Sequence, residues 1–251
     1  MKYILIPFRV VYKIYYLLVF AFSLVITYPF VYILLKNPKR FPLVFKLMKV
    51  HAFFLLFFAG APLKVIGREN IPKEGAFIIC PNHSSFLDIF CLYTIFPNYF
   101  VFTGKKEIEK WPLFHIYYTS GMNILVDRKT KTGMITALKR MSKELKNGIS
   151  LAIFPEGTIT KNAPHMGEFK SGAFAIAIQN QVPIVPITFV TNWKILQRGS
   201  FFMGKGGPGI AEVIIHKVIV TEGLRNRANA FKILKFSINS SHPILQFFFL
   251  I

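Results

Sequence analysis

The stretch "AFIICPNHSSFLD" (residues 76–88) decides how the rest of the chain is read. Its first five residues are a continuous apolar run of strand length, and a polar turn follows. A strand without alternation is one buried on both faces, as in a parallel sheet covered by helices. His83 and Asp88 stand five positions apart. On an ideal helix that spacing takes them off one face. With His83 in the turn and Asp88 in the first turns of a following helix, their side chains meet. A carboxylate on one imidazole nitrogen fixes the tautomer and stabilises the imidazolium, leaving the other nitrogen as a base near neutral pH. For this pair alone the plainer reading is a histidine that caps the helix beside a solvated aspartate.

The pattern repeats on the C-terminal side. "YFVFT" (99–103), "NILV" (123–126), "ISLAIF" (149–154) and "IVPITFV" (184–190) are further apolar runs of strand length. Between them lie helical patterns. Met134, Leu138, Met141 and Leu145 mark one helix face that Gly148 stops, and "GAFAIAIQN" (172–180) is a second, shorter helix. This alternation predicts an α/β fold with a mostly parallel sheet flanked by helices. Pro183 and Pro186 limit ladder bonding and predict an edge strand or pocket wall for their segment. "GKGGPG" (204–209) reads as a flexible loop, because it neither follows a clear strand nor opens a helix.

Toward the N-terminus the texture differs. "IYYLLVFAFSLVITYPFVYILL" (14–35) is long enough to cross a bilayer as a helix, and Pro29 allows a kink. A second apolar run covers 51–63, with a Lys/Arg-rich segment between the two. Both ends of the first run are basic, and the first acidic residue is Glu69. Two readings stay open: a span, or two helices entering one leaflet with both ends on the cytoplasmic side. A buried core helix is the bland alternative. The chain divides into 1–62, apolar membrane-anchoring helices; 63–222, the α/β domain; and 223–251, a basic and apolar tail.

Composition narrows the partners. Of 251 residues 53% are hydrophobic, and Lys+Arg number 31 against 11 Asp+Glu, a net charge of +20. That excess calls for an anionic partner. Joined to a mean hydropathy of +0.45, it suits a lipid bilayer surface, and no nucleic-acid partner is expected. Cys80 and Cys91 form no metal or redox spacing and read as buried thiols in a reducing compartment. The histidines elsewhere make no metal spacing, and no metal is expected.

Two further segments carry polar chemistry at strand ends. "FPEGT" (154–158) is a turn whose backbone N–H groups can bind an anion, with Glu156 placed to orient a hydroxyl or a basic group. "GMNILVDR" (121–128) ends on Arg128, a phosphate ligand or, seen alone, a surface arginine.

Taken together and in this order, the segments resemble the glycerolipid acyltransferase family, in particular the 1-acylglycerol-3-phosphate acyltransferases. The resemblance rests on Asn82, His83 and Asp88; on Gly121, Asp127 and Arg128; on Phe154, Pro155, Glu156, Gly157 and Thr158; and on Val182, Pro183 and Pro186. It runs from about residue 65 to 220, and the apolar N-terminal pair resembles the two-helix anchor of bacterial members. It implies His83 as general base oriented by Asp88. It implies a substrate-binding set of Asn82, Lys105, Arg128, Glu156, Gly157 and Thr158. The reaction implied is acyl transfer to a lysophospholipid with acyl-CoA or acyl-carrier protein as donor and no cofactor, at a membrane, with the catalytic domain on the cytoplasmic face. One departure stands out: members acting on lysophosphatidic acid commonly have Arg after Glu-Gly-Thr, and here the residue is Ile159, with Lys161 nearby. The alternatives are acylation of another lysolipid and a non-catalytic, lipid-binding membrane protein.

Overall fold

A computed structural model describes residues 5–199 and 201–223. The tail expected from 223 onward therefore lies almost wholly outside the described residues. The chain opens with two long helices, α1 (Ile6–Leu35) and α2 (Phe41–Phe58). After them come β1 (Leu63–Ile66), β2 (Ile78–Pro81), α3 (Leu87–Ile95), β3 (Phe100–Lys105), α4 (Ile116–Thr119) and β4 (Ile124–Val126). Then follow α5 (Lys131–Lys146), β5 (Ser150–Ala152), α6 (Gly172–Asn180), β6 (Ile184–Phe189), α7 (Asn192–Ile195) and β7 (Ala211–Ile215).

The seven strands form one sheet in the order β1-β7-β6-β2-β5-β3-β4. All neighbouring pairs are parallel except β6 with β7. The continuous apolar runs are explained by two cores, one on each face of the sheet. Along β2, Ile78 and Cys80 enter the core made with α5 and α6, while Ile79 enters the core made with α2 and α3. The period of two along the strand thus places apolar residues in both layers.

The expected helices appear where the apolar spacing puts them. In α5, Thr130 accepts from the Gly133 N–H at 3.1 Å as its N-cap, and Gly148 follows the helix with φ +79°. The other short helix covers Gly172–Asn180.

Three features differ from the sequence expectation. The Pro183/Pro186 strand is central, between β7 and β2, and not at an edge. The missing Pro186 N–H costs little there, because pairing with β7 begins only at Ile187↔Ile215, while the Pro186 carbonyl accepts from His216 N at 3.0 Å. The Gly-rich segment is tied down: Gly209 N donates to Gly60 O at 3.0 Å and Gly207 N to Ile195 O at 3.1 Å. Finally, the second apolar run at 51–63 is not one element: its helix, α2, begins earlier at Phe41 and ends at Phe58, and Leu63 opens β1.

Both N-terminal helices are long and apolar enough to cross a membrane by length and composition. They are not separate from the sheet. The inner face of α1 (Tyr16, Leu24, Val31, Leu35) packs on α2, and a buried His51–Ser23 hydrogen bond of 2.9 Å pins the pair. The helix α2 in turn lies along α3. Phe45 sits 5.3 Å from the Tyr93 ring and 5.2 Å from Phe100, inside the main core.

Candidate active site

The parallel arrangement brings the chemistry together. The strands β6, β2, β5, β3 and β4 run the same way side by side, so the loops after their carboxyl ends share one edge of the sheet. Asn82 and His83 follow β2; Lys105 ends β3; Arg128 follows β4; residues 154–158 follow β5; and Asn192 follows β6.

At the centre lies a His–Asp pair. His83 Nδ1 is 3.0 Å from Asp88 Oδ2. The contact is possible because Asp88 sits in the first turn of α3 and the His83 turn folds back over it. The backbone N–H groups of Ser84 and Ser85 donate to the same Oδ2 at 2.7 and 2.9 Å. The other oxygen, Oδ1, accepts from Asn192 Nδ2 at 2.8 Å. Asp88 has no exposure, so its charge depends on these four donors in place of water. With Nδ1–H donating to the carboxylate, the Nε2 lone pair is the free base. The His83 side chain keeps 11% of its exposure, which makes the imidazole the outward end of the pair. Its ring stacks on Phe154 with centroids 3.9 Å apart and planes 22° from parallel. Phe154 therefore fixes the imidazole directly, and Asn192 fixes it through Asp88.

Glu156 acts as a brace. Its Oε1 accepts from the His83 N–H and its Oε2 from the Gly167 N–H, both at 2.6 Å. Burial pushes its carboxyl up to about 7, opposed by these two N–H donors and helped by nearby Asp88. The side chain thus spends both oxygens on backbone groups, joining the histidine turn to the loop after β5.

Gly157 has φ +71°, and a Cβ there would collide with the Arg128 guanidinium. This close approach carries the β4 loop to the β5 loop. Arg128 is exposed and makes no ion pair among the described residues; its neighbour Asp127 is taken by Lys106 at 2.9 Å. Lys105 is likewise exposed at the end of β3. Thr158 Oγ1 accepts from Arg198 Nη1 at 2.7 Å, and the same nitrogen donates to Ile159 O at 2.8 Å. Ile159 itself is buried. A second guanidinium at this turn, beside that of Arg128, therefore comes from Arg198, forty positions on, and not from the residue after Glu-Gly-Thr. It borders a cavity of about 350 Å³ lined also by Thr158, Lys161 and Lys170. A larger cleft of about 640 Å³ lies around Ile71 and Val218, and neither cavity is lined by His83 or Asp88.

Asn82 stands apart from the substrate-facing set. Its amide is engaged by β6, with Oδ1 accepting from Phe189 N at 2.7 Å and Nδ2 donating to Phe189 O at 3.3 Å. It locks the end of β2 to β6 and so fixes where His83 starts. Among the described residues no three His, Cys, Asp or Glu side chains gather as a metal would require.

Residues 62–190 match the model of the Acyltransferase family. This chain belongs to the acyltransferase family. Among curated proteins it is 34% identical over 204 residues to the chloroplastic 1-acyl-sn-glycerol-3-phosphate acyltransferase LPAT1 of Arabidopsis thaliana, covering 78% of this chain and 53% of that protein. It is 35% identical over 167 residues to the 1-acyl-sn-glycerol-3-phosphate acyltransferase of Saccharomyces cerevisiae, covering 66% and 54%. The chain spans about half the length of the curated relatives it matches. The fold is that of the 1-acyl-sn-glycerophosphate (LPA) acyltransferase PlsC from Thermotoga maritima: TM-score 0.74 over 91% of this chain and 93% of that one, at 22% identity.

Asn192, Arg198 and Phe154 do work that the motif reading did not assign. In the sequence Phe154 is only the first residue of the Phe-Pro-Glu-Gly-Thr turn. Asn192 and Arg198 lie in segments with no local pattern, and only the return of β6 to the side of β2 brings them in.

Proposed function

We propose that this acyltransferase moves a fatty acyl chain from acyl-CoA or acyl-carrier protein to the free hydroxyl of 1-acylglycerol-3-phosphate, giving phosphatidic acid. The observation that carries this reading is the buried His83–Asp88 pair with its outward imidazole. His83 Nε2 takes the hydroxyl proton as the oxygen attacks the thioester carbonyl. The tetrahedral intermediate expels the thiolate, and the proton passes from His83 to the leaving sulfur. A thioester is already activated, so the enzyme needs no acyl intermediate of its own. Asp88 holds the imidazolium through the step.

The acceptor reading is supported by the cations around the pair. Arg128, Arg198 and Lys161 border the turn at Glu156, Gly157 and Thr158, with Lys105 exposed at the end of β3, so a phosphomonoester would find both bidentate and point-charge partners. The names of the relatives point to the same acceptor.

The two N-terminal helices serve as a membrane anchor, with the sheet on the cytoplasmic side. One full face of α1 is buried on protein, which favours a helix pair lying in one leaflet over a bare span. Lipid acceptor and product then exchange with the bilayer without full extraction.

The test is transfer from labelled acyl-CoA to lysophosphatidic acid by reconstituted protein, beside His83→Ala. Labelled phosphatidic acid that depends on His83 is expected. Equal product from both proteins would overturn the catalytic role, and turnover of only a different lysolipid would overturn the acceptor.

A further inference from the structure

The outer face of α1 is an apolar stripe. Phe8, Val11, Leu18, Phe22 and Val25 are all more than half exposed and recur at steps of three, seven, four and three. The buried side of the same helix, where Lys13 lies, holds a second exposed apolar element. The loop at residues 201–206 is fastened beside the first turns of α1, where Lys13 Nζ donates to Phe201 O at 2.9 Å and to Gly204 O at 2.7 Å. Gly206 packs against Lys13 so closely that an added Cβ would lie 2.9 Å from its Cε, and 3.5 Å from the Arg9 carbonyl. The loop's tip is apolar and open: Phe201, Phe202 and Met203 are 42%, 63% and 55% exposed. A cationic rim adjoins it. Lys205 lies 4.2 Å above the Trp193 ring, with Lys194 5.7 Å from the same ring. Burial, then crowding by Lys194 and Arg9, lowers the Lys205 ammonium.

Apolar side chains at a loop tip, a cationic rim and a fixed tether to the anchor helix form an interfacial contact. We propose that the Phe201–Phe202–Met203 tip enters the surface of an anionic bilayer, with Arg9, Lys194 and Lys205 at the headgroups. It would be a third membrane contact, one that sets the orientation of the domain relative to the lipid. The inference rests on the reading of α1 and α2 as a membrane anchor. Charge complementarity, and a tether that fixes the tip to a helix of the anchor, select the lipid surface over a protein partner.

The test uses the full chain with Phe202→Cys, labelled on that thiol with an environment-sensitive fluorophore; Cys80 and Cys91 are buried. Phe22→Cys, labelled alike, reports on the anchor. Both are reconstituted in phosphatidylcholine vesicles with or without phosphatidylglycerol. The expected result at position 202 is a blue shift and severalfold quenching by a bilayer-embedded quencher, greater with phosphatidylglycerol. Arg9→Gln combined with Lys205→Gln should cut that quenching at least twofold. If lipid quenches the position-22 label while aqueous iodide reaches the position-202 label freely, the loop inference fails and the anchor stands. If neither label meets lipid, both fail. A position-202 label shielded from both quenchers would mean that protein covers the tip, and would overturn the inference. Equal insertion into neutral vesicles would overturn the role of charge.

Discussion

Asn192 donates its side-chain amide to Asp88 Oδ1 at 2.8 Å, across 104 positions of sequence. The bond joins the segments that follow two neighbouring strands, β2 and β6, so the buried carboxylate of the His–Asp pair is held from outside its own motif. Asn192 is itself fully buried. Asn192→Ala should cost about 1–3 kcal/mol of stability by leaving a buried acceptor unpaired. It should also lower kcat roughly tenfold with KM unchanged, because it loosens the base and not the acceptor site. Asn192→Asp should be worse on both counts, since it sets a second carboxylate against Asp88. Steady-state kinetics and denaturant melts on the three proteins check the ordering.

His83→Ala should reduce acyl transfer by about a hundred- to ten-thousand-fold while the protein stays folded and still binds lysolipid. Product formation and binding to lysolipid vesicles, measured on the same preparation, separate the two effects.

Glu156 ties stability to pH. Burial raises its carboxyl from an ordinary 4.5 to about 7, so the folded chain holds the proton more tightly than the unfolded one does. Its contribution is full below the unfolded value and is lost as pH climbs through the folded one, by at most about 3 kcal/mol. Glu156→Gln has no such proton. Whatever the constant offset between the two proteins, the wild type should lose ground to the variant across this window as pH rises. Urea midpoints at several pH values report it, and a pH-independent difference would contradict it.

Arg128→Ala should raise KM for lysophosphatidic acid about tenfold or more with a smaller change in kcat, since a charged hydrogen bond contributes about 1.5–3 kcal/mol. Arg128→Lys should recover only part, having lost the fork. Gly157→Ala should mimic the loss, because the new methyl displaces the guanidinium and strains a left-handed residue by about 1–2 kcal/mol.

Phe45→Ala should destabilise the whole domain by about 3–5 kcal/mol, although Phe45 sits in an N-terminal helix. Its ring is 1% exposed among Tyr93 and Phe100, so the anchor and the sheet share a core. A thermal melt in detergent checks it.

The sequence by itself determined what is local. Apolar runs without alternation marked β2 to β6, the recurrence of Met134, Leu138, Met141 and Leu145 marked α5, and the spacing of His83 and Asp88 pointed to their contact. Each signal needs only neighbours along the chain, a period of two, a period of 3.6, or a turn entering a helix. The tertiary structure decided the rest. β1 and β7 were not legible because Lys64 and Glu212 interrupt their apolar runs, and those two charges find each other only when the distant strands pair, at Leu63↔Ala211. Pro186 read as an edge residue, yet β6 is central because its missing donor falls just outside the β7 ladder. Asn192 and Arg198 carry no pattern of their own. Their roles arise only where parallel strands bring five loop ends to one edge, and a buried charge at Asp88 must find its donors there.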